Sequence, residues 1–144
     1  MKLCFFLNFE PNPPTVTHQE KKVRVVRGKP LFYMPPELAC ARALLAAKLK
    51  PFAPPAPFDG PIHLGVSWVF CRPKSAKGPW KTTKPDTDNL QKMLKDVMTD
   101  CGFWKDDAQV CSETVEKIYH DPDEKHGILV LIRKLEQGDE QWTN

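Results

Sequence analysis

The sequence lacks the long apolar runs that a membrane span requires. No stretch of its 144 residues approaches the roughly 18 consecutive apolar residues of a transmembrane helix. Residues 1–7 are apolar except for Lys2 and are followed by Asn8 and Glu10, with no small-residue cleavage site after them. This segment is too short for a signal-peptide core, so we interpret it as a strand and expect no membrane partner.

Metal-ligand spacings of cysteine and histidine are also missing. The five cysteines, at positions 4, 40, 71, 101 and 111, are widely spaced and form no Cys-x-x-Cys pair. Neither a disulfide framework nor a zinc site is predicted, and a reducing cytoplasm is the expected location. The four histidines show no spacing typical of a ligand set, and His63 is expected at the surface. A Gly-rich phosphate loop is absent as well.

Negative charge is scarce in the first part of the chain. Residues 1–84 contain 14 Lys and Arg but only 4 Asp and Glu, a net charge of +10. Residues 85–144 contain 7 Lys and Arg and 14 Asp and Glu, a net charge of −7, so the whole chain has a net charge of +3. The basic part indicates a polyanionic partner. The acidic part would repel such a partner unless some carboxylates hold metal ions; chance segregation of solvated charges is the alternative.

Proline is scarce after position 85, where only Pro122 remains of the 15 prolines. Short elements are therefore expected first and longer ones later. The strand at 2–8 is followed by a hairpin with strands at 23–26 and 31–34. The clearest helix has apolar residues at 90, 93, 94, 97, 98 and 101, and Gly102 can end it. The remaining predicted elements are a helix between Pro36 and Pro51, a strand over 62–70, a strand over 109–119 and a buried strand over 127–134.

Carboxylates flank the long helix at both ends. Asp86 and Asp88 lie at its start, and Asp106 and Asp107 follow it in the loop that leads to the next strand. Such a set could converge on Mg²⁺, which prefers oxygen ligands and keeps several waters. One or two Mg²⁺ ions would suit hydrolysis of phosphodiesters. The alternative is that the acids are helix caps and solvated surface residues.

Basic residues accompany these acids. Lys92 lies one helical turn after Asp88 and could either pair with it or stabilise charge on a bound phosphate. The loop 72–84 runs directly into Asp86 and is predicted to contact a nucleic-acid backbone. Its alternative role is that of a solvated loop in which Trp80 is a packing anchor. The candidate DNA-binding residues are Lys74, Lys77, Trp80, Lys81 and Lys84.

The run Lys84-Pro85-Asp86-Thr87-Asp88-Asn89-Leu90, followed by Lys92, Asp96 and Asp106-Asp107-Ala108-Gln109-Val110, resembles the RusA family of Holliday-junction resolvases. The resemblance is specific over residues 84–119, whereas residues 1–83 match only in layout. It implies a small homodimeric α+β endonuclease that cuts four-way DNA junctions with Mg²⁺.

The resemblance also implies roles for individual residues. Asp86, Asp88 and Asp107 would be the catalytic, metal-binding carboxylates, and Lys92 would be the essential lysine. Asp106 and Asn89 would support the site, and Lys117 is a weaker candidate for a DNA contact. A two-fold dimer would suit a four-way junction, because both have two-fold symmetry and two incisions are needed.

We therefore predict one α+β domain over residues 1–135, with a mixed β-sheet, two main helices and a frayed polar tail at 136–144. The predicted function is an Mg²⁺-dependent resolvase of branched DNA, especially four-way junctions, with Mn²⁺ as a possible substitute for Mg²⁺. It would act in the cytoplasm, encoded by a bacterium or a phage. One alternative is a branched-DNA-binding module that does not cut. A nucleotide-sugar transferase using Asp-x-Asp and Mn²⁺ is disfavoured because the chain is short and no nucleotide-binding βαβ unit is evident.

Overall fold

The computed structural model describes residues 1–16 and 22–139, and describes residues 22–24 and 31–33 by their backbone only. His18 and residues 140–144 of the predicted tail lie outside the described residues. Every predicted strand and both main helices are present within two residues of the expected bounds. They are β1 Lys2–Asn8, β2 Lys22–Val26, β3 Lys29–Tyr33, α1 Pro36–Leu49, β4 Ile62–Cys71, α2 Thr87–Asp100, β5 Val110–His120 and β6 Gly127–Lys134. Short 3-10 helices span Lys50–Phe52 and Asp107–Gln109.

Four strands form a mixed sheet in the order β1-β6-β4-β5. The pairs β1–β6 and β6–β4 are antiparallel, while β4 and β5 are parallel. The mixed sheet of an α+β domain is therefore confirmed. A parallel pair needs a crossover, and here the basic loop and α2 supply it. The sequence did not reveal this β4–α2–β5 crossover, because periodicity does not show whether two strands run parallel.

The helices are packed against one face of the sheet. Leu64, Val66 and Trp68 alternate along β4 towards this face and are almost fully buried, as are the apolar residues of α2. Cys101 caps the C-terminus of α2, and Gly102 follows with φ of +84°. The amide of Gly102 donates to Thr99 O at 3.1 Å and that of Phe103 donates to Met98 O at 3.1 Å, a Schellman motif. The predicted helix end is thus confirmed.

Two predictions about the opposite face of the sheet need correction. His63 is buried rather than at the surface, and its Nδ1 lies 2.8 Å from the Ser112 hydroxyl. This burial lowers the pKa of His63, because the imidazolium form would lose hydration there. The strand β6 is not buried on both faces, since Leu129 is 42% exposed. Within residues 1–16 and 22–139, none of the helices combines the length and the apolar character of a membrane-spanning segment.

The chain after β1 is attached to the start of β6 through Glu10. The two Glu10 carboxylate oxygens accept from the backbone amide and the ring Nδ1 of buried His126, at 3.1 and 2.8 Å. The hydrogen bond from the His126 side chain is the main cause that lowers the pKa of Glu10 below its ordinary value of 4.5. Its ionised form is therefore favoured in the folded state.

We expect the stabilising effect of Glu10 to depend on pH. Because its folded-state pKa lies below 4.5, the effect is fully present above that pH and is lost as the pH falls through the folded-state pKa. A Glu10→Gln variant should be less stable than the wild type at neutral pH, and the difference should shrink in acid. Urea unfolding between pH 3 and 7 measures this. Glu37→Gln, at the exposed start of α1, is the control, and the same pH dependence in both variants would contradict the prediction.

Candidate active site

The loop before Asp86 is attached to β5 along its length. The amide of Tyr119 donates to Pro79 O at 2.7 Å, and the amide of Lys81 donates to Lys117 O at 3.2 Å. The Lys117 ammonium donates to Thr83 O at 2.8 Å and to Pro85 O at 3.0 Å. These bonds fix the segment that delivers Asp86 to the start of α2. Lys117, which the sequence predicts as a DNA contact, thus holds this loop against β5.

Asp86 is the N-cap residue of α2, yet its carboxylate makes no capping hydrogen bond within the described first turn. Its backbone is extended, with φ of −72° and ψ of 155°, and its carbonyl accepts from the Leu90 amide at 3.1 Å. The carboxylate is exposed, like that of Asp88 one residue into the helix. The capping alternative therefore does not account for the side chain of Asp86.

A cleft of about 810 Å³ runs between α2 and β5. On α2 the residues Asp88, Lys92 and Lys95 follow one another at helical spacing and form a polar stripe opposite the buried apolar one. Asp107 lines the same cleft from the loop before β5. The other residues that line it are Thr87, Gln91, Asp96, Glu113 and Val115.

The turn that presents Asp107 is short and is held in place by several hydrogen bonds. The Asp106 side chain accepts from the Ala108 amide at 2.9 Å, so Asp106 caps the 3-10 helix that begins at Asp107. The Gln109 amide oxygen accepts from the backbone of Lys105 and Asp106 at 3.0 and 3.2 Å. Its nitrogen donates to the carbonyls of residues 58 and 60, each at 2.9 Å. Asp106 is therefore engaged in the turn, while Asp107 projects from it to the exposed surface.

The acids from the two ends of α2 do not form one compact cluster. Among the residues that the structure describes, no three His, Cys, Asp or Glu side chains are grouped closely enough to hold a metal ion. Asp107 also lies with Asp96, Thr99 and Asp100 in a second depression beside the C-terminal half of α2. From residue 88 to residue 96 the helix rises by about 12 Å. The parallel pairing of β4 and β5 explains this separation, because Asp86 follows the end of β4 whereas Asp107 precedes the start of β5.

The sequence did not single out three cleft residues. Gln91, which is 3% exposed, accepts from the indole nitrogen of Trp68 at 2.7 Å and donates to Glu113 at 2.9 Å. Glu113 in turn accepts from the Lys95 ammonium at 2.9 Å. Helical spacing from Asp88 and Lys92 could have identified Lys95. Glu113 had no such signal, since its position beside α2 depends on strand pairing.

The predicted DNA-binding residues lie on the loop after β4. Trp80 is 60% exposed, so much of its surface is accessible from solvent. Lys81 lies over the rings of Phe70 and Tyr119, with its nitrogen 5.0 and 5.8 Å from the ring centroids. Lys74, Lys77 and Lys84 are exposed. Asn89 is partly buried in the first turn of α2 and is not among the cleft-lining residues.

Comparison with known proteins gives matches over most of the chain. The family model described as Endodeoxyribonuclease RusA matches residues 11–132. The crossover junction endodeoxyribonuclease rusA of Lactococcus phage r1t is 31% identical over 134 residues, which cover 91% of this chain and 98% of the phage protein. The uncharacterized protein YqaN of Bacillus subtilis (strain 168) is 31% identical over 105 residues, 65% of this chain and 69% of that protein.

Proposed function

Because this chain belongs to the RusA family of endodeoxyribonucleases, we propose that it resolves four-way DNA junctions by Mg²⁺-dependent hydrolysis of phosphodiester bonds. The observation that carries the proposal is the cleft along α2, which Asp88, Lys92 and Asp107 line. The phage relative carries the name of a crossover junction endodeoxyribonuclease and is similar over nearly its whole length.

The carboxylates at the start of α2 fit Mg²⁺. This ion is commonly bound through one or two carboxylates and substrate phosphates, with several waters retained. Asp86 and Asp88 offer two exposed carboxylates, and Asp86 makes no capping bond in the described first turn. When bound, Mg²⁺ supplies charge neutralisation at the phosphate and activates water. Mn²⁺ has similar oxygen preferences and is the proposed substitute.

The protein's own side chains provide orientation and charge. Lys92 projects into the cleft one turn after Asp88, where its ammonium stabilises negative charge that develops on the phosphate. Lys117 fixes the approach to Asp86, and Asp106 fixes the turn that presents Asp107. Asn89 supports the first turn of α2.

Branched DNA is held, in this proposal, by the loop after β4. Exposed Lys74, Lys77 and Lys84 neutralise backbone phosphates, and Trp80 offers an exposed ring on which a base can stack. Lys81 contributes at the base of the loop, and Lys117 remains a weaker candidate. The loop leads directly into Asp86, so it would guide the bound strand towards the carboxylates.

A homodimer would serve this site in two ways. Two copies present two cleavage sites to the two strands of a symmetric junction. In addition, the acids of one copy form no compact metal-binding group among the described residues, so we propose that Asp107 of one copy completes the Asp86–Asp88 pair of the other. The dimer would then be required for metal binding and for cleavage alike.

Incision of a synthetic mobile four-way junction tests the proposal. With Mg²⁺ the protein should cut the junction in paired positions, and should cut linear duplex and flap DNA far less. EDTA should stop cutting. Asp86→Asn should bind the junction but not cut it, because the amide is a poor Mg²⁺ ligand.

The matched control is Glu37→Gln, which likewise replaces an exposed carboxylate by an amide, at the start of α1 and outside the residues that line the cleft or the second depression. This variant should retain cleavage. Full activity of Asp86→Asn would refute the assignment of Asp86, equal cutting of duplex DNA would refute structure selectivity, and cutting in EDTA would refute the metal requirement.

A further inference from the structure

A chain of hydrogen bonds connects the protein core to the cleft. It begins at Trp68, whose side chain is fully buried and donates to the Gln91 amide oxygen at 2.7 Å. The Gln91 nitrogen donates to one Glu113 carboxylate oxygen at 2.9 Å. The other oxygen of Glu113 accepts from the Lys95 ammonium at 2.9 Å. The oxygen and the nitrogen of the buried Gln91 amide are thus both hydrogen-bonded, and these two bonds fix the position of Glu113.

The end of this chain is in the cleft already described. Gln91, Lys95 and Glu113 all line it together with Asp88 and Lys92. Lys95 follows Lys92 by three residues, which is about 4.5 Å along the helix axis. The two ammonium groups therefore belong to one polar stripe, at the place where a DNA strand would pass the carboxylates.

We propose that Lys95 is a second phosphate-binding cation of this cleft, and that Gln91 and Glu113 are positioning residues that hold its ammonium group there. The inference rests on the proposed function and adds a contact to the strand that is cut. An ammonium has three N–H donors, so Lys95 can bind a phosphate oxygen while it remains paired with Glu113.

Pre-organisation is the physical reason for such an arrangement. A free lysine side chain loses considerable conformational freedom when it binds a phosphate, whereas one already held in place loses less. The Lys95 and Glu113 side chains are 24% and 26% exposed, and partly exposed ion pairs contribute little to folding stability. Glu113 would also repel DNA phosphates if it were unpaired. A functional role in the cleft explains why Glu113 is paired with Lys95 and is also held by the buried Gln91.

Salt-dependent binding tests the role of Lys95. Affinity for a four-way junction is measured in EDTA over a series of salt concentrations. Lys95→Met should weaken binding and reduce the slope of log K against log salt by about 1, because one phosphate contact is lost. Lys95→Arg should keep the slope.

The control is Lys2→Met, since Lys2 lies on β1, at the edge of the sheet opposite β5. It removes the same charge and should leave the slope unchanged. An unchanged slope in Lys95→Met would overturn the phosphate contact. Thermal unfolding midpoints confirm that each variant is folded.

Single-turnover cleavage at saturating protein in Mg²⁺ tests the role of Glu113. Glu113→Gln removes a negative charge, so electrostatics alone predicts tighter binding and an unchanged rate. If Glu113 positions Lys95, the single-turnover rate of cleavage should instead be about tenfold lower. This factor corresponds to the loss of one charge-assisted hydrogen bond. In a Lys95→Met background the same substitution should have no further effect.

A full rate for Glu113→Gln, or additive effects in the double variant, would overturn the positioning role. Failure of the proposed function is distinguishable from these outcomes. It would appear as absent cleavage by the wild-type protein or as full activity of Asp86→Asn, while the salt slope of Lys95→Met would still decide whether Lys95 binds phosphate.

Discussion

Replacing Asp107 by asparagine should lower the rate of junction cleavage by about a thousandfold while junction binding is retained. In the proposed function Asp107 is a metal-binding carboxylate, so its loss should remove several kcal/mol of transition-state stabilisation, and about 4 kcal/mol corresponds to a factor of about a thousand. Binding should persist because Asp107 is an acid and the proposed DNA contacts are on the basic loop. Single-turnover cleavage and a gel-shift assay in EDTA measure the two effects.

The neighbouring acid provides a matched control. Asp106 accepts from the Ala108 amide, and asparagine is an equally good capping residue, so Asp106→Asn should preserve the turn. Its cleavage rate should fall by about 100-fold at most, since loss of a residue that only supports a ligand typically costs about 10- to 100-fold. Equal losses in both variants would show that the turn, rather than the Asp107 carboxylate, determines activity.

Mixing two inactive variants tests whether the site is shared between copies. In a mixed dimer of Asp86→Asn and Asp107→Asn chains, a shared arrangement leaves one site with both native carboxylates. Activity should therefore return on mixing, to at most about half of the wild-type site number. If each site belonged to a single chain, every site in the mixed dimer would lack one carboxylate. No recovery, with mixed dimers shown to form, would refute the shared site.

The second large effect concerns stability. Gly127, the first residue of β6, has φ of +152°, and a Cβ at this position would lie 1.9 Å from the Leu7 carbonyl oxygen. This oxygen belongs to the backbone of β1, which is paired with β6 along its whole length. Relief of the clash would require separation of the two strands. Gly127→Ala should thus destabilise the fold by about 4 kcal/mol, a large loss for a domain with about 5–15 kcal/mol of stability.

Gly102→Ala separates steric overlap from backbone strain. Gly102 also has a positive φ, of +84°, but nothing lies within 4 Å of a Cβ built there. This variant should cost about 1 kcal/mol, the ordinary penalty for alanine in such a conformation. Urea unfolding of both variants measures the difference. Similar losses of unfolding free energy in the two variants would mean that β1 can move away at Leu7, and that the overlap with the Leu7 carbonyl oxygen costs no stability.

The sequence by itself determined the elements, the family and the candidate residues. Alternation along β4 and the apolar stripe of α2 are local periodicities, and the burial of Trp68 and Leu94 follows from them. The motif around Asp86 and Asp107 identified the family, and the match over residues 11–132 confirms that identification. Local capping rules were likewise sufficient for Gly102 at the end of α2.

Only the tertiary structure decided how these parts meet. The parallel pairing of β4 with β5 is a long-range choice that leaves no local pattern, and it places Asp86 and Asp107 towards opposite ends of α2. The same pairing sets Glu113 beside α2, where it binds Gln91 and Lys95. It also buries His63 on a face that its alternation assigned to the surface. Side-chain periodicity tells which residues share a face of a strand, but the neighbouring strand and helix decide what that face contacts.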